Sequence, residues 1–363
     1  MDKPHHIAII GTGLAGLSAA YQLASQCRAK ALNGQEITIS LIDKSRGLGG
    51  RLANRRLPNG AAFNHGAQYV RAGSSRFQEL MERACRHEHA IRWADPITNG
   101  PSPEADTDRP RYVGTPGMSA LGRFMFSEAD RQAKACGIEI ARYRQTQITE
   151  LARTTHGEHG WLLMDNLGTQ LGPFDSLIIA IPAPQAGHLL TALDAGENPS
   201  LAPLIKATET GMAPCWSTMV GFDTALASAQ DAWQPPDSPL VWVGRGVRAD
   251  TADSPADWHG YILHADPDWT RTHLARSANK IGPMMLDLLA SAMGKPLPEH
   301  IHLSSHLWRY AFAPNASGQP CHMASDIGLV LAGDWCLGNR AESAFESGIA
   351  AGNAVIDTML QVS

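Results

Sequence analysis

Two glycine-rich stretches and the acid between them carry the residue types that could do chemistry. The first is Gly11-Thr12-Gly13-Leu14-Ala15-Gly16. The second is Asp43-Lys44, followed by Gly47, Gly49, Gly50 and Arg51. In a loop of the first kind, the first glycine makes a tight turn and the second lets a pyrophosphate approach the backbone. The third lets helix and strand touch, and the helix N-terminus offers amide donors to the anion. Asp43 suits the ribose hydroxyls and would repel a second phosphate. A nicotinamide dinucleotide needs nothing further there. FAD must still run its pyrophosphate and ribityl chain past the loop. The turn Gly47–Gly50 lets backbone pass close to that chain, and Arg51 can pair with its charge. Arg55 and Arg56 either assist or sit in solvent. The expectation is non-covalent FAD.

The elements that must position these residues are legible around them. HIAII (6–10) is a short apolar run of the buried-strand type, and ITISLI (37–42) is a second. Between them LSAAYQLASQ has helical spacing. This is a β-α-β unit. Residues 76–92 and 117–136 read as helices, and 95–111 as a Pro/Asp-rich surface loop. Residues 138–184 read as a β-meander ending in a buried strand. A stretch from about 190 to 320 mixes strands with the helix NKIGPMMLDLLASAM. DIGLVLAGDW (326–335) reads as a last buried strand, and 342–360 as a last helix with small residues on one face. Both chain ends therefore contribute to one nucleotide-binding domain, with a second domain inserted. The expected division gives 1–75, 130–188 and 322–363 to the FAD-binding domain, and 76–129 and 189–321 to the substrate domain.

Composition bounds the function. At 363 residues two domains are the expectation. The net charge of −5, with no long basic run, gives nucleic acid no footprint. No run of 18 apolar residues exists, so no membrane span is expected. Six cysteines without a CxxC pair read as free thiols of a reducing compartment. No basic segment of signal-peptide type precedes the first strand, so the expected location is cytoplasmic. Oligomeric state is not readable.

Asp43-Lys44 with Arg46-Gly47-Leu48-Gly49-Gly50-Arg51 resembles the second fingerprint of the flavin amine oxidase superfamily. Phe63-Asn64-His65-Gly66-Ala67-Gln68-Tyr69 resembles a segment of the renalases, as does Val113-Gly114-Thr115-Pro116-Gly117-Met118-Ser119-Ala120-Leu121. Leu263-His264-Ala265, Trp269, His306–Ala311, Ala332–Leu337, Glu342 and Ser347-Gly348 have renalase counterparts too. The resemblance covers nearly the whole chain and is closest to the bacterial type. Two departures stand out: Asn64 replaces the usual acid, and the 225–260 region is longer. The implied fold is α/β, a Rossmann-type FAD-binding domain (glutathione-reductase-like, amine oxidase superfamily) with an inserted α+β substrate domain.

The resemblance also implies roles. Gly333 and Asp334 would meet the ribityl chain. The helix starting near Ala341 and Glu342 would face the pyrimidine edge of the flavin, where its positive end stabilises reduced-ring charge. Gln68 and Tyr69 would lie beside the ring; for Tyr69 a buried, hydrogen-bonded turn is the other reading. The implied substrates are 2- or 6-dihydro isomers of NAD(P)H, which give up hydride and leave as NAD(P)+, with dioxygen becoming hydrogen peroxide. A dihydropyridine becomes aromatic on losing hydride, so no general base is required.

His306 either orients a substrate amide or charge, or is a satisfied core histidine. Trp308, Tyr310 and Trp335 either line the cavity or are core. Cys336, beside the implied ribityl contact, reads as a small buried residue, not a covalent flavin link. His300, His302 and His306 alternate on one strand face but lack a carboxylate or cysteine at ligand spacing, so no metal is expected. An amine oxidase is the rival reading. Its lysine would have to be Lys206, Lys280 or Lys295, none of which lies in a segment placed at the flavin. A non-catalytic flavin-binding scaffold is the third.

Overall fold

The computed structural model describes residues 4–30, 36–93, 97–98, 109–154, 160–193, 198–226, 232–246 and 258–362. The chain forms two compact units. One holds Met1–Gly50, Gly122–Met212 and Ala313–Ser363; the other holds Arg51–Leu121 and Ala213–Phe312. Residues 51–75 thus fall in the second unit, and 189–212 in the first.

The first unit is built on a six-stranded sheet. Its order is His322–Ala324, Leu329–Leu331, Ser176–Ile179, His5–Ile10, Ile37–Asp43 and Glu139–Arg144. The ladders are parallel except the one between His322–Ala324 and Leu329–Leu331. Ile7, Ala8 and Ile9 are fully buried, because both faces of the central strand are covered. The helices Leu14–Lys30 and Ala341–Val362 cross closely. A Cβ on Gly348 would lie 2.1 Å from the Ala15 carbonyl oxygen, so the small face of the last helix is what admits the first. Gln22 Nε2 donates to Asn353 Oδ1 at 2.7 Å along the same seam.

Three sequence expectations need correction. The strand Glu139–Arg144 is not part of a meander. It is the exposed parallel edge of the sheet, paired on one side only, with Ile37–Asp43. The antiparallel meander is limited to Ile148–Arg153, Trp161–Asp165 and Gln170–Phe174. Residues 326–335 are not one strand. A 3-10 turn, Ser325–Ile327, precedes Gly328 at φ +62, then Leu329–Leu331, then a helical turn Asp334–Leu337. The helix in 76–92 stops at Arg86, because Glu88 turns left-handed at φ +59 and Ala90–Arg92 joins a strand. The 95–111 loop falls largely outside the described residues, as do 227–231 and 247–257 of the longer 225–260 region.

The second unit centres on an antiparallel sheet ordered Ala232–Trp233, Leu240–Arg245, His259–Ala265, Ala213–Phe222 and His300–Phe312. Every residue of Ala213–Phe222 is buried. The helix Ala278–Met293 covers one face through Ile281, Met285 and Leu289. The other face packs Met219, Ile262 and Trp242 on Phe63, Trp93 and Ile97. Ser74 caps the helix Ser75–Arg86 by accepting from the Phe77 amide, and Phe77, Leu80, Met81 and Ala84 form its buried stripe.

Candidate functional site

In the first unit the glycine loop follows the strand His5–Ile10 directly. Gly11 sits at φ +104, and a Cβ there would lie 2.5 Å from the Ala180 carbonyl oxygen. A Cβ on Gly16 would lie 1.9 Å from the Gly11 carbonyl oxygen. Gly13 differs: nothing approaches its Cβ position within 4 Å. So the outer two glycines are required by packing, and the middle one faces open space at the start of the helix Leu14–Lys30. That arrangement fits a pyrophosphate at the helix N-terminus. Ala15 is buried, with its carbonyl turned to the last helix at Gly348.

Asp43 ends its strand and is held in place from both sides. Thr12 donates to Asp43 Oδ2 through its amide at 2.6 Å and its hydroxyl at 2.9 Å. The Ser45 amide donates to Oδ1 at 2.7 Å. The second glycine loop leans on the first. The Gly49 amide donates to the Thr12 carbonyl at 2.9 Å, and a Cβ on Gly50 would meet Gly13 Cα at 3.2 Å. Lys44 is exposed.

At the end of the chain, Gly333 donates its amide to Ser347 Oγ at 2.9 Å, and Asp334 is buried at the head of its helical turn. Ala341 and Glu342 are half-buried and open the last helix. Trp335 is core: it is fully buried and donates Nε1–H to the Ile181 carbonyl at 3.1 Å. Burial pushes the Cys336 thiol up to about 12, which keeps it un-ionised. The five described cysteines are free.

The second unit carries the remaining candidates. Arg51 donates Nη1–H to the Ala311 carbonyl at 3.0 Å, and its own carbonyl accepts from Ala67 at 2.8 Å. A Cβ on Gly66 would sit 2.0 Å from that carbonyl oxygen, which fixes the 64–69 segment against Arg51. Asn64, the departure from the renalase pattern, accepts from the Met118 amide on Oδ1 at 2.9 Å. Gln68 Nε2 folds back onto the Asn64 and Gly66 carbonyls. Tyr69 meets Trp93 and Trp242 at ring-centroid distances of 5.3 and 5.8 Å, with the Arg71 guanidinium 5.6 Å from its ring centroid.

His306 packs edge-on to His65 at 5.2 Å and to Trp308 at 4.6 Å, and Trp308 donates Nε1–H to the His65 carbonyl at 2.8 Å. Burial, then His306 and Arg55, hold His65 down to about 3. Burial lowers His264 to about 4. Burial and Arg55 likewise lower His302 and His306. These rings are neutral at pH 7, and Arg55, half-buried on Arg55–Arg56, is the cation that acts on three of them. His300 is exposed, while His302 stacks on Phe63 and bonds Ser304. Among the described residues no group of three His, Cys, Asp or Glu side chains is arranged to hold a metal. Nor is any helix among them long and apolar enough to cross a membrane.

Residues 9–84 match the model of the NAD(P)-binding Rossmann-like domain family. The whole chain superimposes on a putative protoporphyrinogen oxidase from Exiguobacterium sp. 255-15, with TM-score 0.65, 13% identity and 100% of each chain covered. Cyclohexylamine oxidase from Brevibacterium oxydans IH-35A gives TM-score 0.65 and 13% identity over 98% of this chain and 99% of that one. An oxidoreductase from Methanosarcina mazei gives 0.62 and 12% over 95% and 99%. The chain has the fold of these oxidoreductases. At such identities the likeness is one of fold.

Within this oxidoreductase fold, sequence reasoning missed Ser217, Trp242 and the role of Arg55. Ser217 and Trp242 lie far from any motif, and only strand register shows what they face. Arg55 is separated from His306 by most of the chain.

Proposed function

We propose that the chain is an FAD-dependent oxidase of the renalase kind. It would take hydride from 2- or 6-dihydro isomers of NAD(P)H and release β-NAD(P)+, with dioxygen reduced to hydrogen peroxide. Gly11, Gly13, Gly16, Ala15, Asp43, Gly50 and Arg51 would hold the adenosine and pyrophosphate. Lys44, Gly333, Asp334, Ala341, Glu342, Gln68 and Tyr69 would complete the cofactor contacts, with Tyr69 and His306 at the substrate. FAD, when bound, supplies the hydride acceptor and the path to dioxygen.

The observation that carries this reading is the chemistry of the second unit's sheet face. It offers tyrosine, tryptophan and neutral histidines, with Arg55 as a nearby cation. Such a face disfavours an ammonium and suits an uncharged aromatic ring. Loss of hydride from a dihydropyridine needs orientation, not a base. Lys206, Lys280 and Lys295, the lysines beyond residue 190, are all exposed. The fold shared with cyclohexylamine oxidase makes amine oxidation the second reading.

Anaerobic mixing of the yellow protein with each dihydronicotinamide isomer, ordinary NADH and a panel of primary amines separates them. Bleaching by the isomers alone, with β-NAD(P)+ as product, is expected. Bleaching by amines alone moves the chain to the second reading. Absence of bleaching by every compound overturns both.

A further inference from the structure

One line of residues across the second unit's sheet is polar where its neighbours are apolar. Trp242 pairs with His264, His264 with Ser217, and Ser217 with His306, on four adjacent strands. Directly opposed residues point to the same face with Cβ atoms about 5 Å apart. The adjacent row on that face includes the buried apolar residues Met219 and Ile262. In the polar row, Trp242 Nε1, His264 Nε2 and Ser217 Oγ are buried and make no hydrogen bond, and neither does His65 Nδ1 beside His306.

A buried polar atom without a partner costs about 1–3 kcal/mol, and folded chains keep few of them. Here three lie in register on one sheet face and a fourth borders it. Across the sheet's other face the comparable pair is satisfied: Thr218 Oγ1 and Ser305 Oγ bond each other at 2.8 Å. The unsatisfied row is therefore not a general feature of this sheet.

We propose that Trp242, His264 and Ser217 form a subsite for an uncharged carboxamide. The indole N–H donates only, while the serine hydroxyl and a neutral imidazole donate or accept. A carboxamide carries both an acceptor oxygen and an N–H donor, and so matches this set. A carboxylate can only accept, and it would bury a charge that no cation acting on His264 offsets. Arg55 acts on His65, His302 and His306, whereas no charged side chain acts on His264. The row's polar atoms are buried, and the half-buried rings of His306, opposite Ser217, and Tyr69, against Trp242, border it, so a carboxamide would have to displace one of them to enter. Naming the carboxamide as that of a nicotinamide ring rests on the proposed function; the chemical class rests on the row itself.

Calorimetric titration of the flavin-loaded protein with nicotinamide, benzamide and nicotinate tests the subsite. Both amides are expected to bind, with nicotinate at least about tenfold weaker. Ser217→Ala and Trp242→Phe each remove one hydrogen-bonding atom and keep most of the shape. Each is expected to weaken nicotinamide about five- to tenfold, the effect of one lost hydrogen bond, with the melting temperature showing that the fold is kept. Equal binding of nicotinate, no binding of either amide, or wild-type affinity in both variants overturns the proposal. Amide binding that depends on Ser217 without any bleaching by dihydro isomers would sink the oxidase reading and leave the subsite standing. Bleaching with indifferent variants would do the reverse.

Discussion

Gly13 and Gly16 are three residues apart in one motif, yet the structure gives them different duties. A methyl group on Gly16 would collide with the Gly11 carbonyl at 1.9 Å, so Gly16→Ala forces the helix off its strand. Overpacking of that kind costs roughly 1–3 kcal/mol. Gly13→Ala meets open space and should leave the fold intact. If that space receives a pyrophosphate, Gly13→Ala will still lower FAD retention. Thermal melting and flavin content, measured on both variants, separate the two duties; equal losses of stability would refute the division. Thr12→Ala belongs to the same scale. It leaves the amide bond to Asp43 and deletes the 2.9 Å hydroxyl bond. The expected loss of FAD affinity is about tenfold or more, the worth of one charge-assisted hydrogen bond, read by flavin release on dilution. The motif's residue types were legible because each glycine answers a local demand. That Thr12 is the residue orienting Asp43 was not, since the contact spans two strands.

At the scale of elements, the helix pair Leu14–Lys30 and Ala341–Val362 shows what spacing can reveal. The small face of the last helix is plain in its sequence, although its partner is not. Gly348 and Gly352 face the Ala15 and Ala19 carbonyls, at 2.1 and 3.0 Å from an added Cβ. Gly348→Ala should destabilise by roughly 1–3 kcal/mol, and Gly352→Ala by less, because the second approach is looser. Denaturant midpoints of the two variants check the order; a reversed order would mean the seam is not the constraint. The edge strand Glu139–Arg144 shows the opposite case. Its residues read as a strand, but a parallel edge strand and a meander strand look alike in sequence, and the pairing that separates them is a property of the fold. The polar row of the second unit was equally hidden. Trp242, His264, Ser217 and His306 become neighbours only through the register of four strands.

For the molecule as a whole, the histidines set a direction for its response to acid. His5, His65, His264, His302, His306 and His322 are all lowered from the ordinary value of 6.5, in each case first by burial. The unfolded chain takes up these protons near pH 6.5, and the folded chain resists them until much lower pH. Between those limits the unfolded state binds more protons, so stability falls as pH falls. Each strongly shifted group contributes up to about 1.4 kcal/mol per pH unit in that window. For His264 the window runs from 6.5 to about 4, and for His65 to about 3. Carboxylates add their own loss mainly below pH 5, so the interval from 6.5 to 5 isolates the histidines. Four of the six lie in the second unit, which should therefore be the first to melt on acidification. Melting followed at pH 7.5, 6.5, 5.5 and 5.0 should show a steepening loss below 6.5. His65→Asn and His264→Asn, which carry no proton to bind, should each flatten that slope while lowering stability at pH 7.5 through lost packing. A melting temperature constant from pH 7.5 to 5.0 would mean that these rings are not held neutral by the fold, and that the sheet face they line is not the uncharged surface on which the substrate reading stands.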